Sequence, residues 1–154
     1  MSNWYTRVSG DLSLIPDFIT YYESELALAK KDVSIHGNLE KNISSLPGIT
    51  EQRFYQLQEI EAVLNYLNIQ LRKIRRKWFQ KYLEAYNRQL TSRDAEKYVD
   101  GEQEVIDYET LINEVALLRN RWLGIMKGLE SKNFMLGHNV RLRTAGMEDI
   151  TLWV

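Results

Sequence analysis

The chain has 154 residues, with 20 Lys and Arg against 21 Asp and Glu, and it contains no cysteine. A net charge of −1 gives no global preference for a polyanion or a membrane, so a binding surface must be sought in how the charges are arranged. The lack of cysteine excludes disulfides, thiolate metal sites and a cysteine nucleophile, and it favours a reducing cytoplasm. The sequence shows neither a signal peptide nor the roughly 18 consecutive apolar residues of a membrane span, so a single soluble domain is expected.

The first part of the chain predicts a short helix after an N-terminal extension. Residues 1–15 form the extension, whose role the sequence leaves open. Residues 16–31 are predicted to be helical, because Pro16 suits a first turn and the apolar residues that follow have an approximately helical spacing. Those apolar residues are Phe18, Ile19, Tyr22, Leu26 and Leu28.

A connector is predicted over residues 32–50. Two glycines and a proline interrupt this stretch, which argues against a regular element. They are Gly37, Pro47 and Gly48. Thr50 has the hydroxyl side chain of a helix N-cap, so the next helix is expected to begin directly after it.

Two long stretches with a heptad pattern predict a helical hairpin over residues 51–132. Within each stretch, apolar side chains recur in alternating steps of three and four residues, which is typical of a coiled-coil seam. The first seam comprises Leu57, Ile60, Leu64, Leu67, Leu71, Ile74 and Trp78, and the second comprises Tyr108, Leu111, Val115, Leu118, Trp122, Ile125 and Leu129. A polar stretch ending in Asp100 and Gly101 separates them. We therefore expect an all-α fold with an antiparallel helical pair, roughly residues 52–90 and 102–132.

The C-terminal tail, residues 133–154, loses the heptad pattern. Val140 and Leu142 alternate with arginines, and the chain ends on a mainly apolar stretch, so the secondary structure of the tail is ambiguous from the sequence. An apolar tail of this kind usually docks on its own core or on a neighbouring subunit. It is therefore a candidate segment for assembly of a homo-oligomer.

One stretch of the first long helix, QLRKIRRKWFQKYLEAY over residues 70–86, carries an excess of positive charge. The six cations are Arg72, Lys73, Arg75, Arg76, Lys77 and Lys81. From Ala62 through Leu83 there is no Asp or Glu, so the helix itself supplies no acidic partner four residues away. Since the seam residues face the core, the cations must occupy the flanks and outer surface. Arg119 and Arg121 of the second helix are expected to extend this positive surface.

The cations have two interpretations, and the sequence leaves both open. Single-stranded nucleic acid is held by charges along its phosphate backbone and by aromatic rings on which its bases stack. Tyr82 and Tyr86 follow the cations, together with Phe79, and would supply such rings. Alternatively, Trp78, Phe79 and Tyr82 belong to the core, and the cations meet the acidic stretch between Asp94 and Glu109 of another subunit.

Nothing in the sequence predicts catalysis. The two histidines, His36 and His138, are far apart and lack neighbours at metal-ligand spacing, so no metal site is expected. The glycine-rich loops that bind nucleotides are absent. Scattered carboxylates near a helix start are typical of solvent-exposed residues that complement the helix dipole. We therefore expect a protein that is not an enzyme and needs no cofactor.

The order of these features resembles the UvsY recombination mediators of T-even-type bacteriophages. The resemblance covers roughly residues 22–149 and lies in order and spacing more than in identity. It is carried by KKDV at residues 30–33, a long helix that ends rich in Lys, Arg and Tyr, and a polar turn. A second long helix then begins acidic and closes in GIMKGLESKNFMLGHNVR.

The resemblance implies a ring-like homo-oligomer, located in the cytoplasm of an infected bacterium, that binds single-stranded DNA without catalysis. It further implies that the protein helps to displace a single-strand-binding protein and promotes loading of a RecA-like recombinase. The family's DNA-contacting segment is a Lys/Arg run followed by tyrosines. Here it maps onto Arg72, Lys73, Arg75, Arg76, Lys77 and Lys81, with Tyr82 and Tyr86 nearest to the tyrosines.

The alternative is a structural coiled-coil oligomer, or a protein–protein adaptor, that does not touch nucleic acid. The two heptad seams suit this alternative equally well. Charge reversal on the basic stretch distinguishes the two, because it should abolish DNA binding without preventing assembly only if the first interpretation holds.

Overall fold

The computed structural model describes residues 3–85 and 90–146 of the chain. Throughout these two ranges the chain forms helices and no strand, which confirms the predicted all-α fold. The α-helices are α1 (Trp4–Gly10), α2 (Ile15–Val33), α3 (Leu39–Ala85), α4 (Ser92–Asp100) and α5 (Gln103–Thr144). A 3₁₀ turn, Leu12–Leu14, joins α1 to α2. Among the helices of the described ranges, none contains an apolar segment of the length that a membrane span requires.

The core lies between α3 and α5, and α1 and α2 pack on it. Most residues of the two heptad patterns are buried there: Leu57, Ile60, Leu64 and Leu67 of α3 cluster with Val115, Leu118, Trp122, Ile125 and Leu129 of α5. The end of α3 contacts the start of α5, where Trp78 donates a hydrogen bond to Glu104. Ile43, near the start of α3, and Val140, near the end of α5, line one groove.

Helix α2 extends the predicted 16–31 segment by one or two residues at each end. Phe18, Tyr22 and Leu26 are buried as the helical spacing predicts. Leu28 is exposed, and Ala29 takes the buried position beside it. The buried face of α2 therefore follows the helical repeat, and Ala29 occupies it although Leu28 is the larger apolar residue.

Helix α3 begins at Leu39, so the connector predicted over residues 32–50 is wrong for its second half. Asn38 caps the helix, because its side-chain oxygen accepts a hydrogen bond from the backbone N–H of Lys41, 3.1 Å away. Pro47 lies inside the helix and is exposed. A proline there removes a backbone hydrogen bond and costs about 3 kcal/mol, which the burial of Leu46 and its neighbours against the core offsets.

Helix α5 continues to Thr144, well beyond the predicted end at residue 132. The buried stripe continues through Lys132 and Leu136, so the helix retains a packed face after the apolar heptad is lost. Gly146, with a positive φ of 73°, follows the end of the helix, and its N–H bonds the carbonyl of Arg143. Of the predicted tail, residues 133–146 are thus described, and residues 147–154 lie outside the described chain.

The N-terminal extension is a folded part of the domain. Trp4 and Val8 of α1 are buried in the core. Glu59 of α3 accepts hydrogen bonds from the backbone N–H of Trp4, at 3.1 Å, and from the hydroxyl of Tyr22. Burial and the bond to Glu59 raise the pKa of the Tyr22 hydroxyl, which therefore stays protonated and keeps donating at neutral pH. The sequence did not predict this anchor because the carboxylate is 55 residues from Trp4.

A buried arginine links three helices. Arg53 of α3 is 6 % exposed. Its Nη2 lies 2.7 Å from Asp32 Oδ2 and its Nη1 lies 3.0 Å from Glu25 Oε2, both carboxylates being on α2. The backbone carbonyl of Asp32 in turn accepts a hydrogen bond from Lys132 of α5 at 2.8 Å. The end of α2 is therefore held to both long helices by charged groups.

The end of α2 also approaches α5 closely at a glycine. A Cβ atom built on Gly128 would lie 2.7 Å from Cγ1 and 3.1 Å from Cγ2 of Val33. The shorter distance is one that Cβ atoms essentially never show, so a larger residue at this position would force Val33 to move. Gly128 therefore sets the separation between α2 and α5 beside the Arg53 network.

We predict that Gly128→Ala destabilises the protein by about 2 kcal/mol, because the β-branched Val33 has few alternative rotamers with which to avoid the new methyl group. The measurement is urea unfolding at a fixed protein concentration, followed by circular dichroism.

Gly124→Ala is the matched control. This glycine lies one turn earlier in α5, and a Cβ built on it meets nothing within 4 Å. Alanine should raise the free energy of unfolding there by up to about 1 kcal/mol, because it favours helix more than glycine does. Equal effects of the two substitutions would contradict the close packing of Val33 on Gly128.

Candidate nucleic-acid interface

The cations of α3 form two adjoining rows on its surface. Residues four apart in a helix lie one above the other. One row contains Lys73, Lys77 and Lys81, and the neighbouring row contains Arg72 and Arg76. These five side chains are exposed, whereas Arg75 is half-buried. We call the five residues and Arg75 together the basic surface.

The rows place like charges next to one another. Each like-charge pair four residues apart destabilises a helix by about 0.2–0.5 kcal/mol. Such pairs are Arg72 with Arg76, Lys73 with Lys77, and Lys77 with Lys81. Since no acidic residue occurs in this part of α3, the helix maintains the basic surface at a cost in its own stability.

Two of the six cations are bound by carboxylates of the same chain. Arg75 Nη2 lies 2.6 Å from Asp100 Oδ1, and its Nη1 lies 3.6 Å from Glu109 Oε1. Lys77 Nζ lies 2.9 Å from Glu104 Oε2. The carboxylates belong to the end of α4 and the first two turns of α5. The acidic stretch therefore reaches the cations within one subunit, which the sequence analysis had considered only between subunits.

The other four cations behave differently. Arg72, Lys73, Arg76 and Lys81 form no salt bridge with any residue in the ranges that the structure describes. Lys81 Nζ lies 4.5 Å from the centroid of the Trp78 ring, within the range of a cation–π interaction. Four exposed cations of the basic surface thus have no carboxylate partner among the residues that the structure describes.

Trp78 connects the cations to the start of α5. Its ring is half-buried, and its indole N–H donates a hydrogen bond of 2.8 Å to Glu104. Hydrogen bonds from Lys77 and then from Trp78 lower the pKa of the Glu104 carboxyl below its ordinary value. Glu104 is consequently ionised at neutral pH, and any stability that it contributes is lost only as the pH falls through this lowered pKa.

The structure describes two of the three aromatic residues that were predicted for the site. Tyr82 is half-buried, donates a hydrogen bond to Glu102 and stacks on Tyr98 of α4 with ring centroids 5.3 Å apart. Phe79 is half-buried as well. Tyr86, the other predicted tyrosine, lies outside the described residues. An aromatic cluster therefore adjoins Lys81, and it includes Tyr98, which is 47 % exposed and which the sequence analysis did not predict.

Helix α4 brings Tyr98 and Asp100 to this site. Thr91 caps the helix by accepting a hydrogen bond from the backbone N–H of Asp94, and Ala95 and Val99 are buried on one face. The sequence contains the signal for this helix, because TSRD over residues 91–94 has the spacing of a capping box. The structure therefore has a helix within the stretch that the sequence analysis describes only as polar.

Arg121 does not lie with the other cations. Its Nη1 is 4.0 Å from Glu23 Oε1, so it faces α2. Arg119 Nη2 bonds the neighbouring Asn120. The contacts of these two arginines give no support to the expected extension of the basic surface along α5.

The histidines occupy unrelated environments. His36 lies 3.3 Å from the Ser34 hydroxyl, and His138 packs edge-on against Phe134. Over residues 3–85 and 90–146, no three His, Asp or Glu side chains come together in a way that could hold a metal ion.

Comparison with profile models of protein families, with curated proteins and with solved structures finds no match to this chain.

Proposed function

We propose that this chain binds single-stranded nucleic acid through the basic surface of α3 and catalyses no reaction. One observation carries the proposal: Arg72, Lys73, Arg76 and Lys81 are adjacent and exposed, and they lack a salt bridge among the described residues. Uncompensated cations of this kind attract phosphates, and phosphate binding releases the counterions condensed on the nucleic acid.

Aromatic side chains beside the charges favour a single strand over a duplex. Trp78 contacts Lys81, and Tyr82 lies one turn of helix beyond Trp78. The bases of a single strand are accessible for stacking, which contributes about 1–3 kcal/mol per base. We propose DNA rather than RNA on the strength of the resemblance to the UvsY mediators.

A single subunit offers a short site. Arg72 and Lys81 are nine residues apart, which corresponds to about 14 Å along a helix. Few phosphates fit within that length, so one subunit should bind weakly. We propose that several subunits assemble and that one strand contacts several basic surfaces, since linked sites gain affinity through effective concentration.

The proposed surface for self-association is a groove between the first part of α3 and the last part of α5, with a volume of about 1,100 Å³. Its exposed apolar side chains are Ile43, Phe54, Leu123 and Val140. Its charged lining residues are two acids and two bases, Glu51, Glu130, Lys127 and Arg141. A second copy can therefore place opposite charges against each other across a twofold axis. In this proposal, α3 and α5 form the antiparallel hairpin from which the homo-oligomer is built.

The role in recombination rests on the resemblance alone. We propose that the oligomer holds single-stranded DNA, weakens the grip of a single-strand-binding protein and favours loading of a RecA-like recombinase. The rival function is a structural oligomer or adaptor without nucleic acid, and the apolar groove supports it equally.

We predict that the chain binds a fluorescent oligothymidine tightly at low salt, and that Arg72→Gln with Arg76→Gln weakens the binding. The slope of log K against log salt should become less steep by about 1.4, since each phosphate contact on a single strand contributes about 0.7. Fluorescence anisotropy across a series of salt concentrations measures both quantities.

The control is Lys30→Gln with Lys41→Gln, which removes two exposed charges elsewhere on the chain. Lys41 precedes Arg72 by 31 residues of α3, which is about 47 Å along the helix. The control should leave the salt slope unchanged. Absence of binding by the unsubstituted chain at low salt would reject the proposal and favour the structural oligomer.

We predict that Phe54→Glu reduces the mass of the assembly, because it places a charge in the apolar groove. Leu28→Glu is the matched control, since Leu28 is 49 % exposed and Phe54 is 51 % exposed, but Leu28 does not line the groove. Light scattering after gel filtration gives the mass of each variant. Equal masses for both variants and the unsubstituted chain would contradict the groove as the surface of self-association.

A further inference from the structure

Four carboxylates lie against one side of the basic surface and its aromatic neighbours. Asp100 and Glu109 contact Arg75, Glu104 contacts Lys77 and Trp78, and Glu102 accepts a hydrogen bond from Tyr82. All four residues lie at the end of α4, at the junction or in the first two turns of α5. We call them the acidic cover.

We propose that the acidic cover competes with nucleic acid for the basic surface, so that a bound strand displaces these carboxylates from Arg75 and Lys77. This inference rests on the proposed function, and it adds to that function a control of affinity that resides within the same chain.

The salt bridges of the acidic cover are exposed, so a phosphate can reach the cations and replace the carboxylates. The side chains of Asp100 and Glu109 are 62 % and 51 % exposed, and that of Lys77 is 58 % exposed. Salt bridges between exposed side chains contribute little to stability, because water solvates the separated charges almost as well. A phosphate can therefore replace each carboxylate without exposing a buried charge, in contrast to the enclosed Arg53 network.

Once a phosphate has replaced them, the carboxylates differ in how strongly the helix dipole stabilises their negative charge. Glu104 lies in the first turn of α5, where the helix dipole favours a negative charge whether or not Lys77 is near. Asp100 is the last residue of α4, where the dipole disfavours a negative charge. Asp100 therefore depends more on its cation, and the Arg75–Asp100 contact should resist displacement more than the Lys77–Glu104 contact.

This arrangement implies an order of binding. Arg72, Lys73, Arg76 and Lys81 are available to the first phosphates, and Arg75 and Lys77 become available only after exchange. When a phosphate replaces a carboxylate, the freed carboxylate attracts counterions from solution. This uptake opposes the release of counterions from the strand. Wild-type binding should therefore be weaker, and its salt dependence less steep, than six cations would otherwise produce.

The test variant is Asp100→Asn with Glu109→Gln, which removes both partners of Arg75. The probe is the same fluorescent oligothymidine, titrated at several salt concentrations. We expect tighter binding than wild type by about twofold to fivefold, the range set by exposed ion pairs. The salt slope should become steeper by about 0.7, because one more cation can contact a phosphate without exchange.

The matched control is Glu96→Gln with Asp107→Asn. These acids lie on the same two helices, are exposed and form no salt bridge with the described residues, so the change in net charge is the same. Equal tightening by both double variants would mean that only long-range charge matters, and it would overturn the acidic cover. Unchanged binding in both variants would overturn it as well.

Glu104→Gln is a second, independent test variant, which removes the carboxylate partner of Lys77. It should also tighten binding more than either control substitution made alone, and a failure to do so would count against the cover. Circular dichroism and the unfolding midpoint establish that each variant is folded. If the unsubstituted chain and all variants fail to bind at low salt, the proposed function itself is rejected; if all of them bind with the same affinity, only the acidic cover is rejected.

Discussion

The buried guanidinium of Arg53 is the constraint on which the rest of the structure depends. It binds two carboxylates of α2, at 2.7 and 3.0 Å, and the end of α2 is in turn bonded to Lys132 of α5. Removing one member of a buried charge pair typically costs about 3–5 kcal/mol, because the remaining charge is left without a partner. The network therefore fixes α2 on the first half of α3, beside the middle and end of α5.

The last part of α3, from Leu71 onward, makes a different kind of contact. The side chains of Arg75, Lys77, Trp78 and Tyr82 bond or stack with residues between Tyr98 and Glu109. These contacts are mostly polar and partly exposed, whereas the seam residues of α3 from Leu57 to Leu67 are apolar and buried. One helix thus combines a rigidly packed part with a part that carries charge at its surface, which is what a scaffold for a binding surface requires.

The sequence predicted the helices where apolar periodicity is strong and missed them where other interactions decide. The heptads around Ile60 of α3 and around Trp122 of α5 were sufficient, because a regularly buried face requires a helix. Pro47 suggested a break, yet packing of Leu46 against the core outweighed the local penalty. The end of α5 was missed because a buried Lys132 continues its packed face, and α1 was missed because Glu59, which anchors it, is remote in sequence.

For the candidate site, the local sequence identified the cations but did not identify the carboxylates that form salt bridges with them. It identified all six cations because the lack of nearby acids is visible along α3. It could not assign the partners of Arg75 and Lys77, since those carboxylates are 25 or more residues away and reach the cations only through tertiary packing. Two of the cations meet the acidic stretch of their own chain, and the other four form no salt bridge with the residues that the structure describes.

The central claim is that single-stranded DNA contacts the basic surface of α3, and photo-crosslinking tests it most directly. An oligonucleotide containing 5-iodouracil is irradiated with the full chain, and the crosslinked peptides are identified by mass spectrometry. The claim predicts crosslinks to Trp78, Tyr82 or their neighbours within residues 72–82, and their loss in the variant Arg72→Gln with Arg76→Gln. Crosslinks confined to other parts of the chain, or none under conditions of tight binding, would contradict it.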